Sequence, residues 1–129
     1  MKPEFIPEEV IIILQVDLIE RYGGSYGIRD KGLLDSALSQ PKAMFGGHYL
    51  HKTIFDKAAA YGYHLCQNHP FIDGNKRIAL VAMDTFLQMN GYELKADEHS
   101  TYRMIISIAE GKIDKKSLAN WLKENSCYS

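Results

Sequence analysis

His69-Pro70-Phe71-Ile72-Asp73-Gly74-Asn75-Lys76-Arg77 joins two apolar, helix-periodic runs, and its reading decides how the rest of the chain is organised. Pro70 drives the residue before it out of the right-handed helical region, so the preceding helix must end by about His69. The next helix opens near a cap at Asn75 and runs through Ile78, Val81, Ala82, Phe86 and Met89. A turn rich in backbone N–H groups at the start of a helix is an anion site, and Lys76 and Arg77 add positive charge to it. An imidazole such as His69 can take a proton from a hydroxyl. A carboxylate such as Asp73 beside a phosphate calls for a divalent cation to relieve the repulsion. Base, metal ligand and phosphate cradle within nine residues point to nucleotide phosphate chemistry.

Each of these residues also has a structural reading. His69 could cap the helix it ends, Asp73 could cap the helix that follows, and Lys76 with Arg77 could be a solvated pair. The last is the least comfortable, because cations in a first turn oppose the helix dipole unless an anion is bound there. Phe71 has one job in either case, to anchor the loop in the core. Gly74 permits a positive φ or a close backbone approach to phosphate oxygens.

Outward from the motif, the chain reads as all-α, a compact bundle of about six helices in a single domain, residues 1–129. Pro7-Glu8-Glu9 opens a first helix with Ile11, Leu14, Leu18 and Tyr22 on one face, ended by Gly23-Gly24. Asp30 caps a short helix that Pro41 stops. Residues Pro41 to Lys52 lack a helical period and contain Gly46-Gly47 among Phe45, Tyr49 and Leu50, which predicts a small hairpin or flap. Thr53 opens the helix that leads to the motif. Its face of Ala58, Ala59 and Gly62 is small enough to seat another helix closely, or else to line a partner groove. Tyr92-Glu93-Leu94 is extended, and two more helices follow, to Gly111 and from Asp114 to about Glu124.

Composition narrows the class. A hydrophobic fraction of 46% and a charged fraction of 24% are those of an ordinary globular protein. The apolar stretch from Phe5 to Ile19 is broken by Glu8, Glu9 and Asp17, unlike a secretory signal or a membrane span, so a cytoplasmic location is expected. The net charge of −1 gives nonspecific nucleic-acid binding no help, and no direct nucleic-acid contact is expected. Cys66 and Cys127 do not form a disulfide framework: Cys66 lies in a helical core pattern and Cys127 near a frayed end. His48, His51, His64 and His99 match no metal-ligand spacing.

The motif resembles the signature of the Fic/Doc superfamily, His-Pro-Phe-x-Asp/Glu-Gly/Ala-Asn-Gly/Lys-Arg, over all nine residues. Gly27-Ile28-Arg29-Asp30, Leu33-Leu34 and Ser36-Ala37-Leu38 are similar to its Doc (death-on-curing) branch. The resemblance implies a six-helix fold and an enzyme that moves part of ATP onto a protein hydroxyl. His69 would be the base, Asp73 the Mg²⁺ ligand, and Gly74, Asn75, Lys76 and Arg77 the phosphate-binding turn. The flap, placed within Pro41–Lys52, would align a target segment by strand addition.

Two departures set the expected product. Members that transfer AMP carry glycine where this chain has Lys76 and a second arginine where it has Leu80. Lysine is typical of the Doc-like toxins, which hand the γ-phosphate of ATP to elongation factor Tu. Gly74 resembles the AMP-transferring pattern instead. The resemblance therefore implies a toxin kinase that arrests translation, with AMP transfer as the alternative. A noncatalytic binding module and a ribonuclease are alternatives of other classes. The family's inhibitory pattern, Ser/Thr-x-x-x-Glu-Gly/Asn, is missing, since Ser107-Ile108-Ala109-Glu110-Gly111 is one residue too short. Restraint by a separate antitoxin chain is expected.

Overall fold

A computed structural model describes residues 2–129. Six helices carry the chain: α1 (Glu8–Tyr22), α2 (Lys31–Ser39), α3 (Ile54–Asn68), α4 (Asn75–Met89), α5 (Glu98–Ala109) and α6 (Lys115–Glu124). Two small antiparallel pairs join them, β1 (Met44–Phe45) with β2 (His48–Tyr49), and β3 (Tyr92–Leu94) with β4 (Ser126–Tyr128). The all-α expectation holds, with the flap as a true hairpin. Among the described residues no helix is long and apolar enough to cross a membrane.

Side-chain caps define most helix starts. Asp30, Thr53, Asp97 and Asp114 accept from the N–H groups of Leu33, Asp56, Ser100 and Ser117 at 2.6–3.0 Å. Thr53 and Asp56 complete a reciprocal capping box, the Asp56 carboxylate accepting from Thr53 N–H at 3.2 Å. The flap turns at Gly46 and Gly47, both at positive φ (59° and 81°), as a two-residue hairpin turn of the primed type demands.

α3 is the centre of the bundle. Ala58, Ala59, Tyr61, Gly62, Leu65 and Cys66 are buried, and Ile78, Ala79, Ala82, Met83, Phe86 and Leu87 of α4 are buried with them. The small face of α3 is core and not a partner groove. A Cβ built on Gly62 would come within 2.8 Å of Met83 Cγ, so glycine is what lets the two helices approach. Tyr61 is sealed in this layer, its hydroxyl accepting from Ile6 N–H at 3.0 Å. Burial pushes its phenol up to about 12.

Three local readings are corrected. The inner face of α1 is Ile11, Gln15, Leu18 and Ile19, while Tyr22 is 53% exposed. The polar Gln15 concealed that register. Helix α4 is capped by the left-handed Gly74 (φ 79°), with Asn75 as its first residue. Cys127 belongs to no frayed end, because β4 pairs with β3 and sets it opposite Glu93. That strand could not be read from three residues whose partner lies more than thirty positions away. Cys66 and Cys127 are both free thiols.

Candidate active site

The motif places its loop at the junction of α3 and α4. His69 ends α3 in the left-handed conformation (φ 47°, ψ 55°), the one non-glycine residue at positive φ among those described. Pro70 does force it out of the right-handed helix, though not into an extended strand. Such backbone strain persists only where the surroundings over-determine it. Phe71 is the buried anchor, 1% exposed.

The over-determination comes largely from the segment joining α1 to α2. Arg29 donates from Nε to His69 O (2.7 Å) and from Nη2 to Asn68 O (3.0 Å), placing a cation on the carbonyl end of α3. Pro70 O accepts from Arg29 N–H at 2.7 Å and Asp30 N–H at 3.1 Å, and Ile72 N–H donates to Gly27 O at 3.0 Å. Ile28 and Phe71 thus form an antiparallel bridge. Gln15, 1% exposed, reaches from α1 to donate to Asp73 O at 3.2 Å. Arg29 and Gln15 are working parts that the motif does not announce. Arg29 stands in the quoted Gly27–Asp30 stretch, but its partner lies forty residues on.

Asn75 is turned inward. Its Oδ1 accepts from Phe71 N–H (2.9 Å) while its Nδ2 donates to Phe71 O (2.9 Å) and stands 3.4 Å from His69 Nδ1. The amide therefore closes the loop on itself and steadies the imidazole. The contact to Nδ1 is long for a hydrogen bond. Asp73 is not the cap of α4. Its Oδ2 accepts from Ser25 N–H at 2.7 Å, and Oδ1 has no hydrogen-bond partner among the described residues. Gly24 lies directly against it, since a Cβ there would stand 3.2 Å from Asp73 Cβ.

These residues surround a cavity of about 350 Å³, walled by His69, Asp73, Gly74, Asn75, Lys76 and Arg77 with Leu18, Ile19 and Tyr22 of α1 and Tyr102 of α5. The first-turn N–H groups of α4 have no intrahelical acceptors. Lys76 and Arg77 are half-buried, and neither joins the ion pairs seen among the described residues. Arg77 instead lies over the Tyr22 ring, its Cζ 3.9 Å from the centroid, and 5.6 Å from that of Tyr102. A half-buried cationic helix start with no carboxylate partner can hold an anion. No three His, Cys, Asp or Glu side chains converge as a metal cage among the described residues. Mg²⁺ needs less, since one carboxylate suffices when water and substrate phosphates complete its shell, and the unengaged Asp73 Oδ1 fits that demand.

The other histidines stand apart from this cavity or at its edge. His64 Nε2 lies 2.9 Å from Lys115 Nζ on the far side of α3. Burial first, then the charge of Lys115, lowers its pKa to about 4.

Residues 5–87 match the sequence profile of the Fic/DOC family. The chain belongs to that family. Among curated proteins it is similar to Toxin Doc of Mycolicibacterium smegmatis, 46% identical over 76 residues, which cover 59% of this chain and 58% of that protein. It is also similar to Protein kinase doc of Escherichia phage P1, 30% identical over 117 residues, which cover 91% of this chain and 90% of that one.

Proposed function

We propose that this chain is a Doc-like toxin that transfers the γ-phosphate of ATP to a hydroxyl of a target protein, with elongation factor Tu as the candidate target, and so arrests translation. The observation that carries the reading is one cavity faced by His69, Asp73 and the unpaired cations of α4. Similarity to a protein kinase doc over 91% of the chain supports phosphoryl transfer over other uses of the nucleotide.

In this account the phosphates lie on the first turn of α4, with Gly74 allowing close backbone approach and Lys76 and Arg77 opposing their charge. Asn75 contributes its backbone N–H to the turn and uses its side chain to hold His69. Asp73 would hold Mg²⁺ beside the phosphates, and the ion would supply charge neutralisation there. His69 takes the target's hydroxyl proton as that oxygen bonds to the γ-phosphorus. The bond from that phosphorus to the bridging oxygen breaks, and ADP leaves. Residues 1–129 act as one domain in the cytoplasm, and a separate antitoxin chain restrains it. AMP transfer is the second reading, favoured by Gly74.

Incubation of the purified protein with γ-labelled ATP, Mg²⁺, elongation factor Tu and, separately, a whole lysate tests the proposal. Label should enter a protein, and His69→Ala should reduce it by roughly 10²-fold or more, the loss typical of a positioned general base. Undiminished turnover by a folded His69→Ala variant would remove His69 from the mechanism.

A further inference from the structure

Helix α3 ends without a donor that helices closed by a left-handed residue commonly use. In that geometry an N–H from the following residue returns to the last turn and satisfies one of its open carbonyls. Here the following residue is Pro70, which has no N–H. Donors come instead from Arg29, forty positions earlier in the chain. Its Nη2 donates to Asn68 O at 3.0 Å, its Nε to His69 O at 2.7 Å and its main-chain N–H to Pro70 O at 2.7 Å. One residue therefore holds three successive carbonyls, with that of His69 in the middle. Arg29 joins none of the ion pairs among the described residues, so no carboxylate competes for its guanidinium.

The imidazole needs this hold because little else aims it. Its one polar contact among the described residues is Asn75 Nδ2, 3.4 Å from Nδ1, and no carboxylate orients the ring. Its place in the cavity wall then follows from the backbone that carries it. The Cα–Cβ bond leaves a left-handed residue in a different direction from a right-handed or extended one. Relaxation from φ 47° and ψ 55° would re-aim the ring relative to Asp73 and the α4 turn. A planar fork of N–H donors spans two neighbouring carbonyls, which a single ammonium cannot do. Arg29 is also exposed, so its bonds contribute modestly to global stability, and its removal leaves a place that a small solute can enter.

We propose that Arg29 is a positioning residue for His69: by bridging Asn68 O and His69 O it keeps the left-handed backbone that aims the imidazole at the target hydroxyl. This rests on the reading of His69 as the general base, and it extends the machinery of the reaction beyond the nine-residue motif. It also separates two properties of the site. Arg29 does not line the cavity, so nucleotide affinity stays with the α4 turn while the rate of the chemical step depends on Arg29. Misplacing a reacting group by about 1 Å can cost about 10²-fold in rate.

The test compares wild type with Arg29→Ala and Arg29→Lys, with the lysate protein that takes label from γ-labelled ATP as acceptor. In Arg29→Ala kcat should fall between roughly tenfold and 10²-fold, while KM for ATP and Kd for Mg²⁺-ATP hold within about twofold. Guanidinium at millimolar concentration, well below denaturing levels, should restore part of the loss in Arg29→Ala and leave wild type unchanged. Arg29→Lys keeps the charge without the fork and should stay several-fold below wild type. Imidazole NMR signals give a readout that needs no turnover. Those of His69, assigned by their loss in His69→Ala, should move in Arg29→Ala and return with guanidinium, while those of His51 and His64 stay. A lowered melting temperature with unchanged kcat, or His69 signals that do not move in folded Arg29→Ala, would overturn the proposal. If Arg29→Ala fails to fold, the same signals in Arg29→Lys decide. Wild type that labels no protein while the His69 signals still move in the variant would overturn the transferase reading and not the hold of Arg29 on His69.

Discussion

The motif loop and the flap are both short connections beside the central helices, yet they are built to opposite specifications. Residues 69–74 are fixed from α1, from the α1–α2 segment and from α4, through Gln15, Arg29, the Ile28–Phe71 bridge and the Asn75 amide. The flap is closed by its own two-residue pairs and presents Met44, Phe45 and Leu50 to solvent at 55%, 80% and 58% exposure. Its contacts with the body are at its base. Lys57, itself 3% exposed, donates to His51 O and Lys52 O, and the Tyr49 ring lies 4.3 Å from Lys57 Nζ. Groups that transfer a phosphoryl must be held to fractions of an ångström. A strand edge that accepts a varied protein segment gains from being accessible instead. The contrast suits a transferase whose chemistry is local and whose target is an entire protein.

The largest expected effect separates the two loops by stability. Phe71→Ala should cost roughly 3–5 kcal/mol, as for other buried aromatic residues, because it empties the loop's anchor. Phe45→Ala on the exposed flap should stay within about 0.5 kcal/mol of wild type. Denaturant melts measure both, and a flap variant as damaging as the loop variant would break the comparison.

Asp73→Ala sharpens it within the motif loop. The carboxylate's one hydrogen bond among the described residues is from Ser25 N–H in an exposed setting, and α4 does not depend on it for a cap. Mg²⁺-dependent ATP binding should therefore weaken by about tenfold or more while the melting temperature moves little, the loss corresponding to about 1.4 kcal/mol of ligand binding. A strong fall in melting temperature with nucleotide affinity intact would return Asp73 to a structural role.

A smaller effect concerns the base of the flap. His64 is held near 4 by burial and by Lys115, and burial and the same lysine lower His51, the residue whose carbonyl Lys57 anchors. In the unfolded chain such a histidine titrates near 6.5. Its neutral form is thus favoured by folding: the stability is present in full above about pH 6.5 and lost as pH falls toward 4. After discounting for partial exposure, His64 contributes on the order of 1–2 kcal/mol to that loss. Hydrogen exchange between pH 7 and 4 should show residues 48–52 loosening before residues 69–74. Simultaneous loosening would deny that the flap base and the motif loop are independently held.

How much of this was legible in the sequence follows the range of the interactions. The motif declared itself because its proline, glycine and cations act within a few residues, and Asp30, Thr53 and Asp114 cap helices by local bonds for the same reason. Gly46-Gly47 announced the flap turn. What stayed hidden depends on distant partners. The apolar period of α1 gave no hint that the buried Gln15 holds Asp73, and the inward turn of Asn75 appears only when Phe71 is seen beside it. Nothing local to Ser126–Tyr128 indicates β3. Tyr22, read as part of a core face, is a cavity wall because the last turn of α1 faces Arg77.

In the proposed reaction the braced turn presents the γ-phosphorus to the target hydroxyl, and Lys76 is the residue on which this depends. A lysine there adds a cation and fills room that glycine would leave for more of the phosphate chain. The direct measurement is parallel transfer from α-labelled and γ-labelled ATP to protein, by wild type and by Lys76→Gly. Label from the γ position alone is expected with wild type, and a marked loss of it in Lys76→Gly. Protein labelled from the α position by wild type would contradict it and establish AMP transfer in its place.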